Sequence, residues 1–356
     1  MSRPLFSIGV TTYNRPELLK QCLQAILAQT CGDFEVLVGN DYQAQPLSAG
    51  QLGFDDPRLR ILNHENNLGE LGNMNALLEH AHGEYFTWIA DDDYHDPAFL
   101  EDVRGVLGKT QGVRAVFPSY ANVRFYGHEV RLLFRESSPV LPSLLTGRQF
   151  LRDYWLGKIK TCGLWGVYQT DYMRKLGGAA NLTNNRIAIM SEMMDLIYTG
   201  LLDQVIYLDR PLIYSRAHLG SWSCSSSHVN NYKFACTSLL RRSLPVLQDR
   251  SLRDDFEINL TGLLQQMVLL VVAKISARPG GGYSFRAMTD YLAVLERECM
   301  LLVEEPLRAQ AQASLRNARI YLYKIAPVFA CLSLVPAWFR PLLNRMHGIV
   351  KGEITG

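Results

Sequence analysis

The sequence predicts an α/β protein: a mainly parallel sheet with helices on both faces, followed by a helical C-terminal region. Three observations predict it. Short apolar, β-rich runs alternate with amphipathic stretches over the first 120 residues. Three of those runs end in polar groups, where the ligands of parallel sheets gather. From about residue 227 only helical periodicity remains.

FSIGVTT (6–12) reads as the first buried strand. Pro16 and Glu17 then signal the start of a helix that runs to Gln29. FEVLVG (34–39) is the second strand and ends in Asn40-Asp41, and Arg60–Leu62 is a short third strand. Met74–His82 reads as helix, EYFTWIA (84–90) as strand, Pro97–Leu107 as helix and VRAVFP (113–118) as strand. Residues 164–178 predict a strand, a short helix and a glycine stop. MSEMMDLIYTGLL (190–202) is helical, and 205–223 gives two short strands and a polar loop. Four helices follow, Tyr232–Leu247, Asp254–Ile275, Met288–Leu302 and Pro306–Ala326, with Gly280–Gly282 as a break. The domains expected are 1–225, carrying the sheet, and 226–356, helical with a basic, amphipathic end.

The chain has 356 residues, 48% hydrophobic and 20% charged, and that composition is globular rather than fibrous or disordered. Its charge is uneven. Residues 1–110 carry 7 Lys/Arg against 16 Asp/Glu, whereas 306–356 carry seven against one. An acidic N-terminal part does not suit a nucleic-acid binder. Seven scattered cysteines without a C-x-x-C pair argue against a disulfide framework or zinc site. The N-terminus has too short an apolar run for a signal peptide, and the longest uncharged stretches, 258–273 and 325–339, fall short of a bilayer span. The expected location is cytoplasmic.

Asp91-Asp92-Asp93 is the strongest chemical feature. Three adjacent carboxylates at a strand end repel one another, and a hard divalent cation with oxygen ligands would relieve that repulsion.

With that motif in view, the first 120 residues resemble family 2 glycosyltransferases of the GT-A fold. The matching pieces are FSIGVTTYNRPELLKQCLQAILAQTCGDFEVLVGND, then NNLG, then GEYFTWIADDDYHDPAFLEDV, in the family's order and spacing. The resemblance implies a metal-dependent, inverting transfer of a sugar from a nucleotide-diphospho-sugar, UDP-linked, to an acceptor hydroxyl. It implies that Thr11, Tyr13, Arg15, Asn40, Asp41, Asn67, Gly69 and Asp91 hold the nucleotide. Asn40 stands where the family has an acid, and Met74 where it often has an arginine. Asp92 corresponds to the direct ligand of a Mn²⁺ or Mg²⁺ ion, with Asp93 and His218 beside it and Arg216 on the diphosphate. The family's catalytic base lies at the start of a helix after the acceptor-side strand. Glu192 corresponds to it, with Asp195 the second choice; both also suit a helix N-terminus for electrostatic reasons alone. Trp165, Tyr168 and Trp222 are either sugar-stacking or core residues.

The acceptor implied is a bacterial surface glycan or its lipid-linked precursor. The basic C-terminal segment, with Trp338 and Phe339, suits contact with a membrane surface at its inner face; helical packing or a homo-oligomer interface is the alternative. Two rival readings exist. A nucleotidyltransferase lacks support because no Gly-rich, basic phosphate loop follows the first strand. A non-catalytic GT-A-like module, binding nucleotide-sugar or acting as scaffold, is the other.

Overall fold

The structure is a computed structural model that describes residues 3–126, 129–132, 142–216, 229–276 and 285–334. His218, Trp222, Trp338, Phe339 and Gly280–Gly282 lie outside the described residues. The chain divides into two compact units, Met1–Phe150 with Ile159–Leu219, and Leu151–Lys158 with Gly220–Gly356.

In the first unit, the strand and helix order is β1 (Phe6–Thr12), α1 (Pro16–Leu27), β2 (Phe34–Asn40), β3 (Leu59–Asn63), α2 (Gly69–His80), β4 (Tyr85–Ala90), β5 (Tyr94–His95) and α3 (Phe99–Leu107). Then come β6 (Ala115–Tyr126), β7 (Glu129–Leu132), β8 (Ser143–Leu145), α4 (Gly147–Trp155, which passes into the second unit at Leu151), β9 (Val167–Gln169), α5 (Thr170–Leu176), α6 (Ser191–Thr199) and β10 (Val205–Arg216). One sheet takes all ten strands in the order β3-β2-β1-β4-β9-β6-β10-β5, with β7 on β6 and β8 on β10. β1 to β4 pair in parallel, while β9 inserts antiparallel between β4 and β6. Phe6, Ile8, Val10, Val36, Val38 and Ile89 pack with Leu19, Leu23, Ile26, Phe99 and Val103 of α1 and α3. Near-continuous apolar strands are what a sheet buried on both faces requires.

Some elements differ from the sequence prediction. α2 starts at Gly69, five residues before Met74, because its first turn is anchored from outside: Leu68 N donates to Asp41 Oδ1 at 2.7 Å and Leu71 N to Arg186 O at 3.0 Å. β10 is one long strand rather than two. Its register against β6 shifts on either side of Pro211, whose missing N–H leaves a gap the strand crosses by bulging. α4 was not foreseen, yet it has a capping box. Thr146 N donates to Gln149 Oε1 (3.0 Å) and Gln149 N to Thr146 Oγ1 (3.2 Å).

The second unit contains α7 (Val229–Leu247), α8 (Phe256–Ser276), α9 (Phe285–Leu302) and α10 (Arg308–Leu334). Leu260, Leu263, Leu264, Met267 and Val268 of α8 are fully buried. The segment Arg253–Lys274 is long and apolar enough to cross a membrane, but 56% of it is buried within the protein. It serves as the bundle's core helix. Small residues bring α8 and α10 together: Thr261 Oγ1 donates to Ser314 Oγ at 3.0 Å, and Ser314 Oγ to Glu257 O at 3.1 Å. α10 runs through Pro327, eight residues beyond its predicted end, because Ile325, Ala326 and Phe329 still bury their side chains.

Candidate active site

Parallel pairing brings the C-terminal ends of β1, β2 and β4 side by side, with Thr12 opposite Asn40 and Thr11 opposite both Gly39 and Ala90. After β1 the chain must turn sharply into α1. Asn14 makes the turn at φ +54°, a left-handed conformation that Asn tolerates. The turn leaves Tyr13 51% exposed, edge-on to Tyr42 with ring centroids 5.2 Å apart. It also sends Arg15 back over the end of β4.

Arg15 Nη2 lies 2.6 Å from Asp91 Oδ1, and Arg15 Nη1 3.2 Å from Asp92 Oδ2. Thr12, next to the nucleotide candidate Thr11, donates to Asp91 Oδ2 at 2.6 Å. Asp91 is fully buried, and Asp92 has its side chain 14% exposed at the mouth of the cluster. Asp93 is buried and accepts from the backbone N–H of Arg216 at 3.1 Å, so the end of β10 is tied to the acids. The Arg216 guanidinium goes to Gln21 Oε1 on α1 at 3.0 Å. Burial pushes the Asp91 carboxyl up to about 6, aided by the Asp92 charge and opposed by Arg15 and Thr12. Burial and Asp92 push Asp93 up to about 7. Burial, ahead of any neighbouring charge, sets both shifts.

The end of β2 is built differently. Asn40 Nδ2 donates to Gln45 O (2.9 Å) and Asn63 Oδ1 (2.8 Å), and Asn40 Oδ1 accepts from Tyr42 N (3.2 Å). Its amide shapes the loop. Asp41, also buried, holds Leu68 N, while Asn67 Oδ1 accepts from Gly69 N at 2.9 Å. Gly69 has φ +72°, and a Cβ there would lie 2.2 Å from Arg186 Cβ, so this position needs glycine. Arg186 also donates to Asn67 O. Met74 is buried, and its carbonyl accepts from Trp88 Nε1 at 3.0 Å. A cavity of ≈ 350 Å³ lies between the start of α1 and this loop, lined by Pro16, Glu17, Lys20, Gln45, Pro46 and Leu47. It does not include the acids.

The second acidic group belongs to α6. Met190 precedes it at φ 63°, a strained conformation for a bulky residue. Gly163 packs so closely against the first turn that a Cβ would sit 1.9 Å from Glu192 O. Burial pushes Glu192 up to about 7; its backbone N–H opposes this and the charge of Glu70 adds to it. Asp195 is more deeply buried, faces Tyr168 and Tyr172, and is raised by burial and then by Glu192. Trp165 and Tyr168 are buried and belong to the core. Burial raises the Cys162 thiol first, followed by the charges of Glu192, Asp195 and Asp93. Gly163 carried no sequence signal, because it acts through its contact with a distant helix.

Among the described residues, no group of three or more His, Cys, Asp or Glu side chains is arranged to enclose a metal ion. Asp92 and Asp93 offer two neighbouring carboxylates, and hard cations of the Mg²⁺ type commonly take their remaining oxygens from water and substrate.

Residues 7–170 match the family described as glycosyl transferase family 2. The putative glycosyltransferase EpsH of Bacillus subtilis is 30% identical over 110 residues, 30% of this chain and 32% of that protein. The GalNAc(5)-diNAcBac-PP-undecaprenol beta-1,3-glucosyltransferase of Campylobacter jejuni is 34% identical over 93 residues, 25% of this chain and 30% of that protein. The chain thus spans about a third of the length of the curated relatives it matches. Over nearly its full length it resembles the crystal structure of S. aureus TarS 1-349 in complex with UDP-GlcNAc. That likeness has a TM-score of 0.52 at 17% identity, covering 90% of this chain and 92% of the other. Residues 7–170 are thus similar to glycosyl transferase family 2, and the fold is GT-A.

Proposed function

We propose that this protein is a metal-dependent, inverting glycosyltransferase. It moves a sugar from a nucleotide-diphospho-sugar, UDP-linked, to a hydroxyl of a surface-glycan or lipid-linked acceptor at the inner face of the membrane. The observation that carries the reading is the pair of acidic groups. One, Asp91–Asp93, gathers three adjacent carboxylates at the end of β4 beside the end of β1, and the other, Glu192, is pushed by burial up to about 7 at the start of α6.

Thr11, Tyr13, Asp41, Asn67 and Gly69 frame the nucleotide, with Asn40 shaping the loop from beneath. Asp92 and Asp93 would hold Mn²⁺ or Mg²⁺, with His218 the sequence candidate for a further ligand. Such an ion, when bound, stabilises charge on the departing diphosphate. Arg15, already over Asp91 and Asp92, keeps those carboxylates ionised and oriented. Arg216 must leave Gln21 to reach a diphosphate. Glu192 accepts the acceptor hydroxyl's proton as that oxygen bonds to the anomeric carbon. The bond to the β-phosphate oxygen breaks with its electron pair, and the nucleoside diphosphate leaves. One displacement inverts the anomeric centre. Asp195, buried among tyrosines, supports α6 rather than meeting substrate.

A thermal-shift panel of UDP, dTDP, GDP and CMP, each with and without Mn²⁺, tests the donor site. The expected result is a UDP shift that requires the metal and disappears in Asp92→Ala. At a hundredfold excess over Kd the stabilisation is about 2.7 kcal/mol. No shift with any nucleotide would refute the assignment and leave the scaffold reading.

A further inference from the structure

The second unit carries a surface that the sugar-transfer chemistry does not use. α10 has 27 residues and no Asp or Glu. Its inner face buries Ala311, Leu315, Ala318, Leu322, Ile325 and Phe329. Its outer face presents Arg316, Ile320, Lys324 and Val328 four residues apart, with Tyr323 beside them, on one stripe about 18 Å long. Ile320 is 53% exposed and Tyr323 55%, and Tyr323 is flanked by Phe285 of α9 with ring centroids 5.4 Å apart. Apolar side chains of this size, left in water along a helix with cations beside them, mark a binding face.

We propose that this stripe docks on an anionic lipid surface. The charge pattern selects that occupant. A second copy meeting the same face antiparallel about Ile320 would set Arg316 of each copy opposite Lys324 of the other, with no acid on α10 to compensate. The chain that follows the helix carries Arg340, Arg345 and Lys351 against a single Glu353, so it repels the stripe too. Anionic headgroups instead neutralise the cations, while Ile320, Tyr323 and Val328 enter the acyl boundary and the Lys and Arg stems reach back to the headgroups. Each such cation adds to attraction for an anionic leaflet. The inference deepens the lipid-linked acceptor reading above, but its measurement requires neither acceptor nor turnover.

The test is co-sedimentation of the full chain with vesicles of phosphatidylcholine alone or with 30% phosphatidylglycerol. Binding is expected only to the anionic vesicles and should be lost in 0.5 M NaCl. Ile320→Glu/Tyr323→Glu and, separately, Arg316→Glu/Lys324→Glu should each weaken binding roughly tenfold or more. The melting temperature and the metal-dependent nucleotide shift should stay unchanged, so a lost nucleotide shift is a failure of the donor site rather than of this inference. Three results would overturn the proposal: no binding by the wild type, equal binding by both double variants, or equal binding to uncharged vesicles. A concentration-dependent dimer that Ile320→Glu/Tyr323→Glu breaks, without vesicle binding, would reassign the face to a second copy.

Discussion

The same few strands carry buried carboxylates at both ends, and the two ends treat them in opposite ways. At the start of β2, Glu35 accepts from Ser7 Oγ (2.6 Å), His82 N (2.6 Å) and Arg60 Nη1 (3.0 Å), with His82 Nδ1 at 3.3 Å. Burial alone would raise its pKa, but those donors together hold it below the usual value. At the other end, Asp91 and Asp93 are more deeply buried, and there burial and the neighbouring Asp92 charge outweigh their donors and lift them above theirs. A carboxylate saturated by its own protein has completed its role in the fold. One held above its usual range has capacity for a ligand's charge.

The contrast can be tested at several points. The largest effect is expected at Glu192→Gln: turnover should fall by about 10²–10⁴-fold with the nucleotide-induced stabilisation retained. Loss of both would make the residue structural. Gly163→Ala should follow, since its Cβ would displace the first turn of α6; a loss of roughly 10²-fold in kcat with donor affinity kept is the expected split.

Glu35→Gln should cost about 1–3 kcal/mol of unfolding free energy at pH 7 by denaturant titration, with little effect on donor binding. Its wild-type contribution is present above the unfolded pKa and is lost as pH falls through the lowered native value. The smallest effect has the opposite sign. With raised native values, Asp91 and Asp93 bind more protons folded than unfolded between about pH 4 and 7. Metal-free protein should therefore lose stability as pH rises through that window, and Asp93→Asn should flatten the slope. A slope unchanged in that variant would show that Asp93 does not titrate there.

Much of the site was legible in the sequence because it is local. Thr11–Arg15, Asn40-Asp41 and Asp91–Asp93 each sit at the end of an apolar run, and parallel pairing puts such ends together. The capping box of α4 was legible too, in Thr146 and Gln149, but its helix was overlooked. Other features were not legible at all. Thr12 holds Asp91, and Asn40 turns inward to Gln45 and Asn63.

The sequence by itself determined the alternation of strands and helices, the acidic strand end and the basic character of α10. Those properties follow from residue type and period, which do not depend on neighbours far along the chain. Only the tertiary structure decided which acids are held above their usual range and which below it. It also decided that Gly163 seats Glu192, and that Ile320 and Tyr323 face water. Hydrogen-bond supply, desolvation and exposure depend on residues tens of positions away, and packing alone brings those residues into contact.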